Sequence, residues 1–418
     1  MIKNFGFKNF SSFKNGAEIS FEFDGNTPEQ ISMGETVGTV LGIKGANGSG
    51  KTNILKALSF LYCFVSKRMN TKRKNDKGQE VVRLPLEPFF ASKDEITEFY
   101  IELISDGITY FYELDVTQEG IVRESIIRNK NTDGSKDVLF IERNKNEITH
   151  CISEYNELKK VKLKEDQSII TLVSDYNFHS DFSDLKRLAK YFDKIFFNVG
   201  FDGMRSPLGH DVYSSRSEFY YNNPDALEFV TAIIKSGDDG IDNIRISSYQ
   251  DENGKNVYFP IFTHVHDGEK FSLVYSDESM GTKTLFNTLF NYWVILKSGG
   301  LLICDEFDIH LHAMILPEII ELFINKETNS NKSQLIITAH NTEVMDALGR
   351  YRTILVNKEG NESYCYRLDE VSMLRNDRPI SPLYKKGKIG GVPKSVGGIV
   401  ERLGHQKSKE VVDGKEEF

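Results

Sequence analysis

One glycine-rich stretch constrains this chain more than any other feature. Residues Gly45-Ala46-Asn47-Gly48-Ser49-Gly50-Lys51-Thr52 fit the phosphate-binding pattern G-x-x-x-x-G-K-[ST]. An apolar run over 37–43 predicts a strand before this loop, and apolar residues at helical spacing predict a helix over 51–66 after it. The glycines let successive backbone N–H groups point at a polyphosphate, and the helix N-terminus adds its positive dipole end. The stretch therefore predicts a nucleoside triphosphate site.

Each side chain of the loop has an expected role. Lys51 is expected to reach the β- and γ-phosphates, and Thr52 to ligate Mg²⁺. The remaining predicted nucleotide-binding residues of the stretch are Gly45, Asn47, Gly48, Ser49, Gly50 and Asn53. The pattern taken alone leaves one alternative open, a glycine-rich turn before an ordinary helix.

Composition sets the broad class of protein. The 418 residues, 39% hydrophobic and 27% charged, are typical of a soluble protein with two or three domains. No signal-peptide pattern and no apolar run of about 20 residues is present, so we expect no membrane contact. The four cysteines lack paired spacing, which predicts a reduced, cytoplasmic setting. A net charge of −9 argues against a uniformly basic nucleic-acid binder, although local basic patches leave a DNA contact open.

Four ranges are predicted along the chain. Residues 1–145 are the N-terminal part with the phosphate loop, and strand patterns cover 1–43 and 97–143, the second with the hairpin signal Asp106-Gly107. Residues 146–243 carry helical stripes and are predicted as a mostly helical insertion, with one helix capped by Asn223. Residues 244–380 alternate strands and helices, which is typical of a mainly parallel α/β sheet. Residues 381–418 form a basic, glycine-rich tail.

Two carboxylates end a buried strand at Leu301-Leu302-Ile303-Cys304-Asp305-Glu306. At the edge of a sheet, Asp305 can hold the Mg²⁺ shell, and Glu306 can orient and deprotonate an attacking water. Acidic residues at a helix N-terminus explain such a pattern equally often. The phosphate loop upstream favours the first interpretation.

Two more segments belong to the predicted site. Ser279, followed by Gly281, precedes a predicted helix, where a helix cap is locally a sufficient explanation. His340 ends a predicted strand after Glu306, where it can meet a γ-phosphate. The order of loop, small-residue helix start, Asp-Glu and His is more specific than any one of its members.

These motifs together resemble the ABC/SMC-type ATPases. The resemblance is to the compact prokaryotic AAA15 group, related to RecF, the OLD-family ATPases and the RloA/AbiL-type abortive-infection ATPases. Its carriers are the phosphate loop, Phe7-Lys8-Asn9-Phe10, the signature-like Glu278-Ser279-Met280-Gly281-Thr282, Asp305-Glu306-Phe307-Asp308-Ile309-His310-Leu311-His312, Thr338-Ala339-His340 and 383–393. The implied fold is an α/β, ABC-type P-loop ATPase head with a mixed sheet, a β-rich N-terminal lobe and a mostly helical insertion.

The resemblance also implies a mechanism. Two heads sandwich ATP and Mg²⁺ in a homodimer or higher homo-oligomer, so that Ser279 and Gly281 contact the γ-phosphate bound by the other copy. Lys51 and Glu306 are the implied catalytic groups, with His340 sensing the same phosphate in cis. Met280 and Thr282 depart from the Gly and Gln of transporter signatures. The lid glutamine is unassigned, with Gln79 and Gln118 as candidates.

Three functions are compatible with these residues. The first is the ATPase subunit of a bacterial anti-phage system that controls a separate effector, a nuclease or another toxin. The second is a RecF-like DNA repair ATPase, and the third is an ATP-binding assembly scaffold with little turnover. A basic run over 67–77 is a candidate DNA or partner contact, although most such runs are solvated loops. His264-x-His266 and His310-x-His312 lack a third ligand, so packing or, for His312, a dimer contact is the better interpretation than a metal site.

Overall fold

Strands and helices alternate along much of the chain. The computed structural model describes residues 1–74, 78–129, 138–176, 178–200, 203–204, 210–309, 311–376 and 378–393. Within these ranges the strands are β1 (Ile2–Lys8), β2 (Ala17–Ser20), β3 (Val40–Gly45), β4 (Lys72–Lys74), β5 (Glu80–Val82), β6 (Thr97–Ser105), β7 (Ile108–Thr117), β8 (Gly120–Asn129), β9 (Val138–Asn144), β10 (Glu147–Cys151), β11 (Ile195–Phe197), β12 (Val199–Gly200), β13 (Gly203–Met204), β14 (Ile241–Gln250), β15 (Asn256–His266), β16 (Glu269–Val274), β17 (Leu301–Cys304), β18 (Gln334–Thr338), β19 (Thr353–Glu359) and β20 (Glu362–Arg367). The α-helices are α1 (Glu29–Ser32), α2 (Lys51–Val65), α3 (Ile169–Asp175), α4 (Ser183–Phe192), α5 (His210–Asn222), α6 (Pro224–Gly237), α7 (Met280–Ser298), α8 (Ile315–Ile324), α9 (Glu343–Leu348) and α10 (Ser381–Lys385).

A six-stranded sheet in the order β11-β17-β18-β3-β19-β20 lies at the centre of the fold. The first five strands run parallel, and β20 pairs antiparallel with β19 at the edge. The carboxyl ends of parallel strands meet at one edge of a sheet. The loops that follow β3, β17 and β18 therefore lie side by side.

A second sheet forms the β-rich N-terminal lobe. Its seven antiparallel strands follow the order β10-β9-β8-β7-β6-β1-β2. The predicted Asp106-Gly107 turn joins β6 to β7, which pair from Ser105 opposite Ile108. Further along the chain, β14, β15 and β16 form a separate three-stranded antiparallel sheet. The mixed α/β fold with its β-rich lobe confirms the predicted fold class.

The central sheet is buried on both faces, as strands of parallel sheets usually are. Alternate side chains of β3, β17 and β18 enter two different cores. One core, shared with α2 and the N-terminal lobe, receives Leu41, Ile43, Leu301, Ile303 and Ile336. The other, shared with α6, α7 and α8, receives Val40, Leu302, Cys304, Leu335 and Ile337. Burial on both faces explains the continuous apolar runs in the sequence.

The predicted insertion, 146–243, contains α3 to α6 but also contributes to the central sheet. Strand β11 pairs in parallel with β17, from Ile195 opposite Leu301. Asn223 is the N-cap residue of α6 and Pro224 lies in its first turn, as predicted. The Asn223 side chain makes no capping hydrogen bond, and its amide donates to the Phe219 carbonyl. The division of the chain at 145, 243 and 380 stays a prediction.

The strand before the phosphate loop lies later than the predicted 37–43. Val37 bridges to Glu22, and the Gly38 N–H donates to the Phe21 carbonyl, so this part of the run pairs with the N-terminal segment. The strand instead extends through Lys44, a charged residue that is only 3% exposed. The predicted helix over 51–66 is present as α2.

A fully buried ion pair ties the N-terminal lobe to the segment before α3. Arg143 Nη1 lies 3.6 Å from Glu124 Oε2, and neither side chain is exposed. Glu124 also accepts hydrogen bonds from the Tyr112 hydroxyl and the Ser168 hydroxyl, while Arg143 donates to the Gln167 carbonyl. Burial raises the pKa of Glu124, and the adjacent guanidinium opposes that shift.

Replacing Arg143 by Met should destabilise the protein by about 3 kcal/mol, because Glu124 then remains buried without its counter-ion. The matched control is Arg123→Met, which removes a partly exposed arginine paired with Glu113 and Glu142 and should cost about 1 kcal/mol or less. Chemical unfolding of both variants measures the difference. Equal destabilisation would contradict the special role of the buried pair.

Candidate nucleotide site

The phosphate loop has the backbone geometry that its glycines allow. Gly48 and Gly50 adopt positive φ angles of 73° and 110°. A Cβ on Gly50 would lie 2.7 Å from the hydroxyl oxygens of both Ser12 and Ser363, so no larger residue fits there. Gly48 has open space around it. The loop is thus braced from behind at Gly50 and open at Gly48.

Lys51 begins α2 and folds back over the loop. Its Nζ donates to the Gly45 carbonyl at 3.0 Å and to the Ala46 carbonyl at 3.1 Å. An ammonium has three donors, so a phosphate oxygen can be met as well. Burial lowers the pKa of Lys51, and the nearby Asp305 carboxylate opposes the shift.

A chain of hydroxyls and carboxylates crosses from the loop to the two neighbouring strands. Thr52 Oγ1 donates to Asp305 Oδ2 at 2.9 Å, and Thr338 Oγ1 donates to Asp305 Oδ1 at 2.6 Å. A hydroxyl and a carboxylate are hard oxygen ligands of the kind that Mg²⁺ prefers. The predicted pair of metal ligands is therefore brought together, and its chemistry fits a magnesium ion.

Glu306 stands directly after this pair in an uncommon conformation. Its φ of 50° lies in the left-handed region, which non-glycine residues seldom adopt. Its N–H donates to Thr338 Oγ1 at 2.8 Å, and the next N–H, of Phe307, donates to the Thr338 carbonyl. The end of β18 thus holds the backbone turn that presents the Glu306 carboxylate.

His340 lies beyond the end of β18, next to β17, as predicted. Its N–H donates to both carboxylate oxygens of Asp308, at 3.1 and 2.9 Å, and its carbonyl accepts a hydrogen bond from Lys44 Nζ. The imidazole itself is exposed. The backbone is held on both sides while the ring is free to meet a ligand.

Two loop-proximal residues predicted to bind nucleotide have different surroundings. The Asn53 amide donates to Ser12 Oγ at 2.8 Å, on the braced side of the loop. Asn47 is exposed at the tip, whereas Ser49 is buried and its hydroxyl makes no hydrogen bond among the described residues. An orphaned hydroxyl inside a phosphate loop is consistent with a missing ligand partner. The roles of Asn47, Ser49 and Asn53 stay predictions.

The signature-like segment starts α7 and caps it. Ser279 Oγ accepts the Thr282 N–H at 3.1 Å, so the local helix-cap interpretation holds. Because α7 leads back into β17, its N-terminus lies toward the same edge of the sheet as Asp305. Gly281 lies in the first turn, and Met280 between them is 48% exposed. Ser279 and Met280 are therefore exposed at this helix start, whereas Glu278 and Thr282 are buried beneath them.

The structure shows functional residues that sequence reasoning missed. The Asn198 side chain accepts the Asp305 N–H at 2.7 Å and donates to the Asp305 carbonyl at 2.9 Å. Asn198 directly follows β11, so its side chain bonds the backbone of Asp305 just beyond the point where β11 and β17 stop pairing. Lys44 was also missed, although a lysine inside an apolar strand next to the loop was a readable signal.

The remaining candidates lie apart from these contacts or outside the described residues. The Gln118 amide donates to the Leu86 carbonyl, and the lid assignment stays a prediction. His264 Nε2 lies 2.7 Å from the buried Glu278 carboxylate, so it pairs next to the signature segment. His312 Nδ1 accepts the Met314 N–H. His310 and, from the basic run, Lys77 fall outside the described ranges.

A braced phosphate loop, an oxygen pair that fits Mg²⁺ and a glutamate on the adjacent strand end define a P-loop ATPase head. The chain belongs to the family described as "AAA domain, putative AbiEii toxin, Type IV TA system", which matches residues 40–346. The narrower AAA15 and RloA-type assignment stays a prediction. No curated protein sequence matches the chain. No helix in the described ranges is long and apolar enough to cross a membrane.

Three solved SMC head domains are similar to the chain. The Thermotoga maritima head has a TM-score of 0.41 at 15% identity, covering 88% of this chain and 98% of that one. The Pyrococcus furiosus head, solved with an extended coiled coil and the C-terminal domain of ScpA, has a TM-score of 0.44 at 16% identity. The match covers 88% of this chain and 97% of that one. The Pyrococcus yayanosii head, with a coiled coil and joint, has a TM-score of 0.43 at 12% identity. The match covers 93% of this chain and 99% of that one.

The left-handed backbone at Glu306 predicts an inverted order of stabilities. Glu306→Gly should be more stable than Glu306→Ala by about 1 kcal/mol, because alanine keeps the steric cost of the left-handed conformation and glycine does not. Thermal unfolding of the two purified variants measures the difference.

The matched control is Glu321 in the last turns of α8, an exposed helical position. There Gly should be less stable than Ala by about 1 kcal/mol, because the helix interior favours alanine. The same order of stabilities at both positions would show that Glu306 is not strained.

Proposed function

We propose that this chain is an ATP-hydrolysing subunit of a bacterial anti-phage defence system of the abortive-infection type. ATP-dependent association of two heads controls a separate effector, a nuclease or another toxin. The observation that carries the hydrolytic part is the hydrogen-bond chain from Thr52 through Asp305 to Thr338 and on to Glu306. It couples the phosphate loop to the acid that activates water. The family description, which names a toxin system, supports the defence setting.

Each residue of the site has a proposed role in ATP hydrolysis. The loop N–H groups and Lys51 bind the β- and γ-phosphates of the substrate ATP, and Glu306 orients a water and takes its proton. The water oxygen bonds to the γ-phosphorus as the bond to ADP breaks. Thr52 and Asp305 would hold Mg²⁺, which would neutralise phosphate charge when bound. His340 senses the γ-phosphate from the adjacent strand end.

The placement of Ser279 supports a site shared between two copies. Its hydroxyl caps α7 and makes no described hydrogen bond to the phosphate loop of its own chain. The exposed Met280 and the glycine that follows leave this helix start accessible at the edge of the site. A second copy, related by a twofold axis, would bring its own Ser279 to this chain's loop, and each loop would receive one signature segment. ATP would thereby favour the closed dimer.

Lys51→Ala should abolish Mg²⁺-dependent ATP hydrolysis, because the loop loses its only side-chain cation among the predicted phosphate contacts. Glu306→Gln should retain ATP binding but lose more than about a hundredfold in kcat, because the amide cannot accept the proton. Steady-state phosphate release and size-exclusion chromatography with ATP measure both effects. Glu306→Gln should accumulate as the dimer, and wild-type turnover in Lys51→Ala would refute the site.

Mixing two inactive variants tests the shared site. Lys51→Ala and Ser279→Arg should each be inactive alone, whereas their equimolar mixture should recover about a quarter of wild-type hydrolysis, because half of the dimers retain one intact composite site. A site completed within one chain predicts no recovery. The mixture is therefore compared with each variant at the same total concentration.

The cellular role is tested separately from the chemistry. Cells that express the wild-type chain with its neighbouring gene should show reduced phage plating, and Lys51→Ala should restore plating to the empty-vector level. Unchanged plating across a broad phage panel, combined with DNA-stimulated hydrolysis, would favour the RecF-like repair role instead.

A further inference from the structure

The backbone of His340 is held by two charged residues that flank the nucleotide site. Asp308 accepts the N–H groups of His340 and Asn341, the latter at 2.6 Å. Lys44, immediately before the phosphate loop, donates from Nζ to the His340 carbonyl. The position of the histidine therefore depends on the end of β3 and on the turn after Glu306 together.

Lys44 is itself an unusual buried cation. It is 3% exposed, and burial lowers its pKa to about 8. The charged groups that face it are the Asp308 carboxylate, which raises its pKa, and the Lys51 ammonium, which lowers it. The aromatic ring of Tyr384 lies 5.5 Å from Lys44 Nζ, within the range of a cation–π contact. A buried ammonium with one carbonyl acceptor is thus stabilised by a ring from the end of the chain.

Tyr384 belongs to a segment, 380–391, that is fixed firmly to the head. The Tyr384 hydroxyl donates to the Gly391 carbonyl at 2.8 Å and closes the segment on itself. The Gly391 N–H donates to Asn357 Oδ1 on β19 at 2.7 Å. At the other end, Asp346 on α9 accepts the N–H groups of Ile380 and Ser381. The segment therefore spans from α9 to β19 across the face that carries Lys44.

Two glycines, Gly390 and Gly391, allow this segment to pack closely against neighbouring tyrosines. Gly390 and Gly391 have φ angles of 76° and 72°, which favour glycine. A Cβ on Gly391 would lie 3.0 Å from the Tyr384 ring, and one on Gly390 would lie 2.5 Å from the Tyr366 hydroxyl. The Tyr366 hydroxyl leaves no room for a Cβ on Gly390, and a Cβ on Gly391 would make a tight contact with the Tyr384 ring.

We propose that the segment 380–391 positions the switch histidine of the ATP site, with Tyr384 holding Lys44 and Lys44 holding the His340 carbonyl. The segment is also linked to His340 through α9. Asp346 on this helix accepts hydrogen bonds from the start of the segment, and α9 begins at Glu343, three residues after His340. Tyr384 and Lys44 are positioning residues that act through His340. The inference rests on the proposed ATP hydrolysis and adds to it an internal control of turnover by the 380–391 segment.

The test separates turnover from nucleotide binding. Tyr384→Leu and Lys44→Met should lower kcat about tenfold or more, because a displaced catalytic group is costly, while the Kd for a fluorescent ATP analogue stays within about twofold. Tyr384→Phe, which keeps the ring, should retain most of kcat. Tyr364→Leu on β20 is the control for losing a tyrosine that does not contact Lys44. Tyr364 is 41% exposed whereas Tyr384 is 8% exposed, and the control should leave kcat unchanged.

The pH dependence of kcat distinguishes positioning from a loss of folding. The charged form of Lys44 predominates below its pKa of about 8 and is lost as the pH rises through that value, so wild-type kcat should fall above pH 8. Tyr384→Leu should move this fall to lower pH, because the ring no longer stabilises the ammonium. Lys44→Met should show a low kcat without the fall.

The outcomes separate this inference from the proposed function. An inactive wild type refutes the proposed hydrolysis and this inference with it. An active wild type with unchanged kcat in folded Tyr384→Leu, or the same fall above pH 8 in Lys44→Met, overturns this inference alone. Melting temperatures of all variants confirm that each is folded at the assay temperature.

Discussion

The carboxylate of Asp305 is the group on which the rest of the site depends. Each of its oxygens accepts one hydroxyl, from Thr52 on α2 and from Thr338 on β18. Its backbone is held as well, by both polar atoms of the Asn198 amide. A 3% exposed carboxylate keeps one orientation because all these hydrogen bonds are made at once. The phosphate loop and the turn at Glu306 are thereby fixed relative to each other.

This arrangement follows from the order of the strands. Strand β18 lies between β3 and β17, so the residues at its carboxyl end face the phosphate loop on one side and the acidic strand on the other. Thr338 uses that position twice, donating to Asp305 and accepting the N–H of Glu306. The left-handed conformation of Glu306 is supported because Thr338 satisfies the polar groups of the turn. Thr338 therefore both orients the Asp305 carboxylate and stabilises the left-handed turn at Glu306.

The sequence predicts those parts of the site whose residues stand next to a recognisable strand or loop pattern. The glycine-rich loop, the acidic strand end and His340 each follow an apolar run, and such runs are visible without a structure. Asn198 was beyond reach because β11 has three residues, too few to show a period, and its partner Asp305 is 107 positions away. Lys44 was overlooked because its charge suggests the end of a buried strand. Asn223 stands at the predicted N-cap of α6, but its amide donates to the Phe219 carbonyl of the preceding helix, a contact that the sequence pattern does not specify.

The brace behind Gly50 has a consequence for how the molecule is made. The Ser363 hydroxyl donates to the Ser49 carbonyl of the loop at 2.6 Å, and its oxygen lies 2.7 Å from the hydroxyl oxygen of Ser12, 351 positions away in sequence. Ser12 and Ser363 both lie outside the residues 40–346 that match the family. During synthesis the chain emerges from its N-terminal end, so the loop is complete in sequence long before β20 arrives to support it. The hydrogen bonds behind Gly50 therefore form only after residues far apart in the sequence have been made and folded together.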